Sequence, residues 1–401
     1  MIPYTDALSK IREAARSRPA LPAETVAAQR ALGRVTAAAV YGTDPIPPFD
    51  NSSMDGYALA HARAAGATAA PPTLPVLGTI LAGDAPRRQA ESGVWKIMTG
   101  APIPAGCDAV VPVENTRERD GGRSVEILRT PHAGDFIRAA GQDFLAGAEV
   151  CPAGAVLTPR HLMALAAAGV TEVSVRRKPR LGLISTGREL APAGKPLAPG
   201  QIRDSSTSFV AAECERLGWD FEHLGVIADD PVAFDGVMDR ALGRGFDAIL
   251  TTGAVSMGEA DFIPATLKDM GALLHFHKVA IKPGRPVLFA EFTDGPFVFG
   301  LPGNPVSTVV GMKFFVQPCL RELLGLAEES PILCRLKNTT AKPEQLRCFF
   351  KARRLEHGQV EILPGQASFQ IHSLLAADCW AVLPEPGVEL KAGSEVEVYE
   401  L

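Results

Sequence analysis

The 401-residue chain has no uninterrupted apolar run approaching about 20 residues, so no membrane span is expected. Its first residues, Met1-Ile2-Pro3-Tyr4-Thr5-Asp6, lack the basic start and apolar stretch of a secretory signal. Cysteine is sparse and scattered: the seven cysteines, at positions 107, 151, 214, 319, 334, 348 and 379, include no Cys-x-x-Cys pair. A disulfide framework and a structural zinc site are therefore not expected. An excess of one charge is also missing. Lys plus Arg is 40 and Asp plus Glu 45, a net charge of −5, which argues against coating nucleic acid or anionic membrane by charge alone. No repeat of fixed period appears. The expectation is a reduced, cytoplasmic, soluble protein with neither nucleic-acid nor membrane partners.

What the chain has in quantity is glycine (38) and proline (33), more than suits a helical bundle. Many strands, tight turns and backbone-lined sites follow. An apolar fraction of 46% and a charged fraction of 21% are those of an ordinary globular protein. At roughly 150 residues per domain, the length suggests two to three domains.

The pattern changes along the chain. Residues 1–40 read as helical, from Tyr4, Ala7, Leu8 and Ile11 and again from Val26, Leu32 and Val35. Prolines 45, 47 and 48 make an extended connector. Residues 73–130 carry short apolar runs with a Gly121-Gly122 hairpin signal, and a helix is expected near Pro159 to Ala168, stopped by Gly169. From Arg180, strands (181–185, 221–227, 248–252, 287–290, 297–301) alternate with helices (205–217, 231–242, 262–270, 305–324). That alternation predicts a doubly wound α/β domain with a mainly parallel sheet. After Pro331 short strands return, which suggests a small barrel or sandwich.

In an open α/β sheet ligands bind at the carboxyl ends of the strands. Four such loops carry chemistry here: Ser185-Thr186-Gly187-Arg188-Glu189-Leu190, Asp229-Asp230-Pro231, Thr252-Gly253-Ala254-Val255-Ser256-Met257-Gly258-Glu259-Ala260-Asp261, and Gly300-Leu301-Pro302-Gly303-Asn304-Pro305-Val306-Ser307. Glycines beside hydroxyl residues let backbone N–H groups approach an anion, and a helix start favours negative charge. The acidic residues of these loops repel an anion unless a cation intervenes, and Mg²⁺ is the natural choice. Asp230, directly before Pro231, reads as a helix cap; Asp229 and Asp261 read as metal or substrate residues. Lys278, Ala280 and Lys282 share a face if the segment is a strand, and with Arg285 they suit a phosphate or tetrahedral oxyanion. His275 and His277, lacking a third ligand, read as ordinary surface residues.

Six ordered motifs carry a resemblance that spans essentially the whole chain. They are Asp50-Asn51-Ser52-Ser53-Met54-Asp55-Gly56-Tyr57, Thr99-Gly100-Ala101-Pro102, the Ser185–Leu190 loop, Gly258-Glu259-Ala260-Asp261, Lys282-Pro283-Gly284-Arg285-Pro286, and Leu301 to Ser307. Together they resemble the MoeA family of molybdopterin molybdenumtransferases, related to the E domain of gephyrin. The resemblance implies insertion of molybdate into adenylylated molybdopterin with release of AMP, assisted by Mg²⁺, to give molybdenum cofactor. By the same resemblance Asp55, Thr99, Glu189, Asp229, Asp261, Lys278 and Lys282 are catalytic, with Asp229 and Asp261 on the metal. Arg138, Ser185, Thr186, Gly187, Gly253, Ser256, Gly258, Arg285, Pro302, Gly303, Asn304, Pro305, Ser307 and Ser368 would bind substrate.

The implied architecture is an α/β multidomain chain with four parts. A connecting domain spans 1–49 and 141–176, and a strand-rich inserted lobe spans 50–140. A MogA-like doubly wound α/β domain covers 177–327, and a C-terminal β-barrel 328–401. The implied assembly is a homodimer whose clefts pair the α/β domain of one subunit with the inserted lobe of the other. Molybdopterin adenylyltransferase and molybdoenzyme maturation proteins are the implied partners. Three alternatives stand beside this: tungstate in place of molybdate, the adenylyltransferase reaction itself, and a non-catalytic gephyrin-like scaffold. One position departs from the family: Ala254 stands where a second glycine is usual, and its methyl group would crowd a backbone with positive φ.

Overall fold

The computed structural model describes residues 1–64, 71–87, 92–191, 194, 196–254 and 262–401. The chain forms two compact units. One comprises Met1–Glu24, Gly33–Val35 and Val175–Leu401, and the other Thr25–Leu32 with Thr36–Ser174.

The first unit is built on a six-stranded sheet in the order Asp220–Ile227, Arg180–Thr186, Ala248–Thr252, Phe297–Leu301, Leu288–Glu291, Leu273–His277. The first four strands are mutually parallel and the last two join antiparallel. Apolar residues alternate between two covered faces, as strand geometry requires. Leu181, Leu183, Leu250, Phe297 and Phe299 enter one core with the Tyr4–Arg16 helix. Ile184, Ile249 and Val298 enter another, with Phe234 and Met238 of the Pro231–Leu242 helix. Helix boundaries follow local chemistry. Asp204 caps Ser205–Leu217 through the Thr207 N–H, and Gly218 ends that helix in the left-handed region (φ +70°). The expected long helix after Pro305 is present but not uniform: Pro305–Gly311 and Gln317–Leu323 are joined by a π-helical stretch, Met312–Val316.

The C-terminal strands Arg347–Arg354, Gln359–Ile362, Ile332–Leu336, Glu395–Glu400 and Cys379–Leu383 close on themselves as a five-stranded barrel. Closure leaves no open edge except where Ile281–Lys282 adds in parallel beside Arg347 and Cys348. Aromatic packing ties barrel to α/β domain: Phe314 lies 4.2 Å from Phe349 between ring centroids, and Tyr4 meets Phe349 edge-on at 5.5 Å.

The second unit holds a six-stranded sheet in the order Ala109–Pro112, Gly56–Leu59, Val94–Ile97, Thr73–Ile80, Ser124–Ile127, Thr116–Arg119. The Gly121-Gly122 signal makes the expected hairpin, with φ of +65° and +85° at the two glycines. The Pro159–Ala167 helix starts at a capping box between Thr158 and His161.

The helical expectation for the second half of residues 1–40 fails. Only Tyr4–Arg16 is helical; Ala23–Ala27 is extended and Ala28–Arg30 is a single 3₁₀ turn. Tertiary pairing overrides the weak periodicity there: the Ala28 N–H donates to the Thr171 carbonyl at 2.9 Å, and the Ala37 N–H to Ser174. Among the described residues no helix is long and apolar enough to cross a membrane.

Candidate functional site

The four parallel strands of the first unit end on one edge, so the loops that follow them gather there. A cavity of about 360 Å³ opens at this edge. Gly253 and Ala254 line it from the third loop, and Pro302, Gly303, Asn304 and Ser307 from the fourth. Lys282, Pro283, Gly284 and Pro286 add the basic segment, and Gln366 with Ser368 come from the barrel domain.

The glycines are required by geometry. Gly253 has φ +95°, and a Cβ there would stand 2.6 Å from the Thr186 carbonyl oxygen and from its Oγ1. Gly303 passes the same loop closely, with an imagined Cβ 3.7 Å from the Gly253 Cα. The fourth loop is fixed by Thr308, whose Oγ1 donates to the Pro302 carbonyl at 3.0 Å. Backbone therefore lines much of the wall, which suits close approach of an oxyanion. Ala254 sits at φ +48° in spite of its methyl group, the conformation in which glycine would carry no steric cost.

The basic segment is not arranged as the alternation predicts. The strand ends at His277, Lys278 takes φ +80°, and a new two-residue strand begins at Ile281. The positive φ breaks the two-residue alternation, so Lys278 and Lys282 do not share one strand face. Lys282 is exposed and lines the cavity; Lys278 is half-buried and does not. Among the described residues Lys278, Lys282 and Arg285 have no carboxylate partner, so their charges are available to an anion.

Ser185 departs from its expected role. It is fully buried, and its hydroxyl is committed to Asp204 Oδ2 (2.9 Å), Thr207 Oγ1 (2.9 Å) and His223 Nε2 (3.3 Å). Burial works against the Asp204 charge. Hydrogen bonds from Thr207 and Ser185, and the nearby His223, outweigh it and hold the carboxyl below its ordinary pKa. Ser185 thus braces the first loop against the Ser205–Leu217 helix. Thr186 likewise spends its hydroxyl on the Thr252 carbonyl at 3.1 Å. Gly187 has φ +145° under the exposed Glu189, whose carboxylate oxygens would lie 2.6 and 2.7 Å from a Cβ at that position.

Asp230 caps the Pro231–Leu242 helix, accepting from the Val232 and Ala233 N–H groups at 3.3 Å each. Asp229 beside it is half-buried, and its carboxylate has no partner among the described residues. Ser256, Gly258 and Asp261 lie outside the described residues. Pro305 opens the helix after Asn304, and the Val306 N–H donates to the Ser368 carbonyl at 3.0 Å, which brings the barrel loop to the cavity. His275 bonds Glu291 at 2.8 Å and stacks on Phe289.

In the second unit, Asp55 and Thr99 form one small construction. The Asp55 Oδ1 accepts from the Thr99 N–H at 2.7 Å and from its hydroxyl at 2.8 Å. The backbone bond and then the hydroxyl bond hold this exposed carboxyl below its ordinary pKa. Arg138 is exposed on a two-residue strand, in register with Asn51. Gln366 was not anticipated from the sequence, where nothing distinguishes it.

A glycine-walled cavity at the carboxyl edge of a doubly wound sheet, beside a lysine that has no carboxylate partner among the described residues, has the chemistry of an oxyanion-binding protein. The comparisons are specific within that class. Residues 2–169 match the MoeA N-terminal region (domain I and II), residues 182–322 the "Probable molybdopterin binding domain", and residues 333–401 the MoeA C-terminal region (domain IV). The chain is 42% identical over 362 residues to the molybdopterin molybdenumtransferase of Synechococcus elongatus, covering 89% of each chain. It is 34% identical over 380 residues to that of Haemophilus influenzae, covering 92% of each. The crystal structure of the molybdopterin biosynthesis MoeA protein of Pyrococcus horikoshii superposes with a TM-score of 0.84 at 27% identity, over the full length of both chains. The chain belongs to the MoeA family of molybdopterin molybdenumtransferases, enzymes of molybdenum cofactor biosynthesis.

Proposed function

We propose that this chain transfers molybdenum from molybdate to adenylylated molybdopterin, releasing AMP. The observation that carries the proposal is the cavity itself: Gly253, Gly303, Ser307, Ser368 and Lys282, which has no carboxylate partner among the described residues, surround a space of about 360 Å³. Molybdate is a compact tetrahedral dianion, and fixed backbone walls with a free ammonium suit it. Lys278 and Arg285 extend the positive field toward the phosphates of the second substrate.

Among the described residues Asp229 offers Mg²⁺ a carboxylate without a protein partner, and Asp261, which lies outside the described residues, is its expected companion. Among the described residues no group of three or more His, Cys, Asp or Glu side chains converges. Mg²⁺ does not need one, because it commonly takes one or two carboxylates and completes its shell with substrate phosphate oxygens and water. Bound there, it would neutralise charge on the phosphoanhydride. Lys282 would hold the oxyanion, and the Gly253 and Gly303 loops would exclude bulk water. Asp55, held by Thr99, would present a fixed negative charge from the inserted lobe. We further propose a homodimer in which that lobe serves the partner's cleft.

The test is AMP release from adenylylated molybdopterin by purified protein, with and without molybdate. Molybdate-dependent AMP release is expected. AMP transfer from ATP to molybdopterin in the absence of molybdate would instead assign the preceding adenylyltransferase step and overturn the proposal.

A further inference from the structure

Two of the loops at the cavity edge are anchored to the same short piece of chain. The first loop leaves the sheet after Ser185, whose hydroxyl donates to Asp204 Oδ2 at 2.9 Å. The fourth loop is held by Thr308, whose hydroxyl donates to the Pro302 carbonyl at 3.0 Å. With its one proton spent there, Thr308 Oγ1 accepts from the hydroxyl of Ser206, 3.3 Å away. Asp204 and Ser206 belong to one turn, the start of the Ser205–Leu217 helix. That turn is closed by its own bonds: the Thr207 N–H donates to Asp204 Oδ1 at 2.9 Å, and the Thr207 hydroxyl to Oδ2 at 2.6 Å. Ser185, Ser206 and Thr308 are each at most 7% exposed, so water competes little for their hydroxyls.

The loops are thus connected twice. At the edge itself the first loop meets the third where Gly253 passes Thr186, and the third meets the fourth at Gly303. Away from that contact, the first and fourth loops are joined through Ser185, Asp204, Ser206, Thr308 and the Pro302 carbonyl. The two loops carry different chemistry, Glu189 in one and cavity wall in the other. We propose that Ser206 is a positioning residue for the transfer reaction: it joins the anchors of the two loops, so that the cavity wall and the loop bearing Glu189 keep one register. The proposal rests on the assignment of this cavity to molybdate. Two independent braces would need no Ser206 hydroxyl, and its loss would then change stability alone.

The experiment compares Ser185→Ala, Ser206→Ala, Thr308→Val, Thr308→Ser and the double variant Ser185→Ala/Ser206→Ala in the full chain. The readouts are kcat, the KM for each substrate, and amide hydrogen exchange over residues 186–191 and 301–307. Thr308→Val keeps the shape and removes the hydroxyl, and should raise the molybdate KM about tenfold. Thr308→Ser keeps the hydroxyl and should stay within about twofold of the parent. Ser206→Ala should lower kcat about tenfold and leave the KM for adenylylated molybdopterin within about twofold. Ser185 makes no hydrogen bond to the fourth loop, yet Ser185→Ala should speed exchange over 301–307 as well as 186–191 and raise the molybdate KM about threefold. In the Ser206→Ala background the same change should speed exchange over 186–191 alone and move the molybdate KM no further. An equal effect of Ser185→Ala on residues 301–307 with and without the Ser206 hydroxyl overturns the proposal, as does no effect there at all. Parent kcat in Ser206→Ala overturns it too. If Lys282→Ala leaves the molybdate KM unchanged while the exchange pattern holds, the cavity assignment has failed and the joint at Ser206 stands.

Discussion

The two units prepare opposite charges by different means. In the α/β–barrel unit, Lys282 lines a wall made largely of backbone, and among the described residues Lys278, Lys282 and Arg285 have no carboxylate partner. In the lobe unit, the Asp55 carboxylate is exposed and is held by two donors from Thr99. The first region is built to receive a negative charge, and the second to keep one in a fixed place. The contrast teaches two ways of placing a group. In the cavity, glycines and buried hydroxyls pack one loop against another. At Asp55 a single residue supplies both a backbone and a side-chain donor.

The largest effects test whether both regions serve one reaction. Lys282→Ala removes the cavity's unpaired ammonium, and molybdate-dependent AMP release should fall by about 10²–10³-fold, as when an oxyanion donor is removed. Asp55→Ala should lower it at least about tenfold. If lobe and cavity come from different subunits, mixing the two inactive variants before assay restores one good cleft in half of the dimers. Activity should then return to about a quarter of the parent value, by the counting that a two-fold dimer dictates. No recovery after verified subunit exchange would place both regions in the same chain's cleft.

Much of the fold was legible because local signals agreed with each other. Asp230-Pro231 marked a helix start, Gly169 a helix stop, and Gly121-Gly122 a hairpin, and each does what its chemistry demands. The glycine loops of the site were legible for the same reason. Lys278 was not, because no residue type announces φ +80° at a lysine, and one such residue undoes a strand's alternation. Ser185 looked like a ligand group but faces inward, where Asp204 occupies its hydroxyl. Residues 26–35 misled because a few apolar residues around a glycine fit a helix and a turn equally well.

A smaller effect separates the Asp55 turn from the cavity by pH. Both Thr99 hydrogen bonds favour the charged carboxylate, so Asp55 stays ionised below the usual carboxylate range. Its depressed pKa contributes stability above the unfolded-state pKa of about 4, lost as pH falls through the folded value. Thr99→Val keeps the N–H donor and removes the hydroxyl donor, so the pKa should rise part of the way back. The acid limb of kcat/KM against pH should move to higher pH. Lys282→Gln should reduce the rate without moving that limb. Equal displacement of the limb in both variants would mean that it does not report on Asp55.

The smallest effect concerns backbone alone, and it again sets one region against the other. Ala254 in the cavity and Asp120 in the lobe hairpin both occupy the left-handed region, at φ +48° and +53°. Asp120 has local compensation, since its Oδ2 accepts from the Ser124 hydroxyl at 2.6 Å, and short polar side chains tolerate this conformation. Ala254 has no polar side chain to offer, and carries a steric cost of about 1–2 kcal/mol. Glycine at 254 removes that cost but adds unfolded-state freedom worth about 0.5–1 kcal/mol. The net for Ala254→Gly is therefore a gain of about 0.5–1 kcal/mol, whereas Asp120→Gly should gain nothing or lose a few tenths. Urea unfolding of the two variants measures the difference. Equal gains would mean that the strain at 254 is the ordinary cost of a tight turn. A gain confined to Ala254→Gly would locate it in the cavity wall, where the close approach of Gly253 to Thr186 and Gly303 holds the loop in a shape its own residue resists.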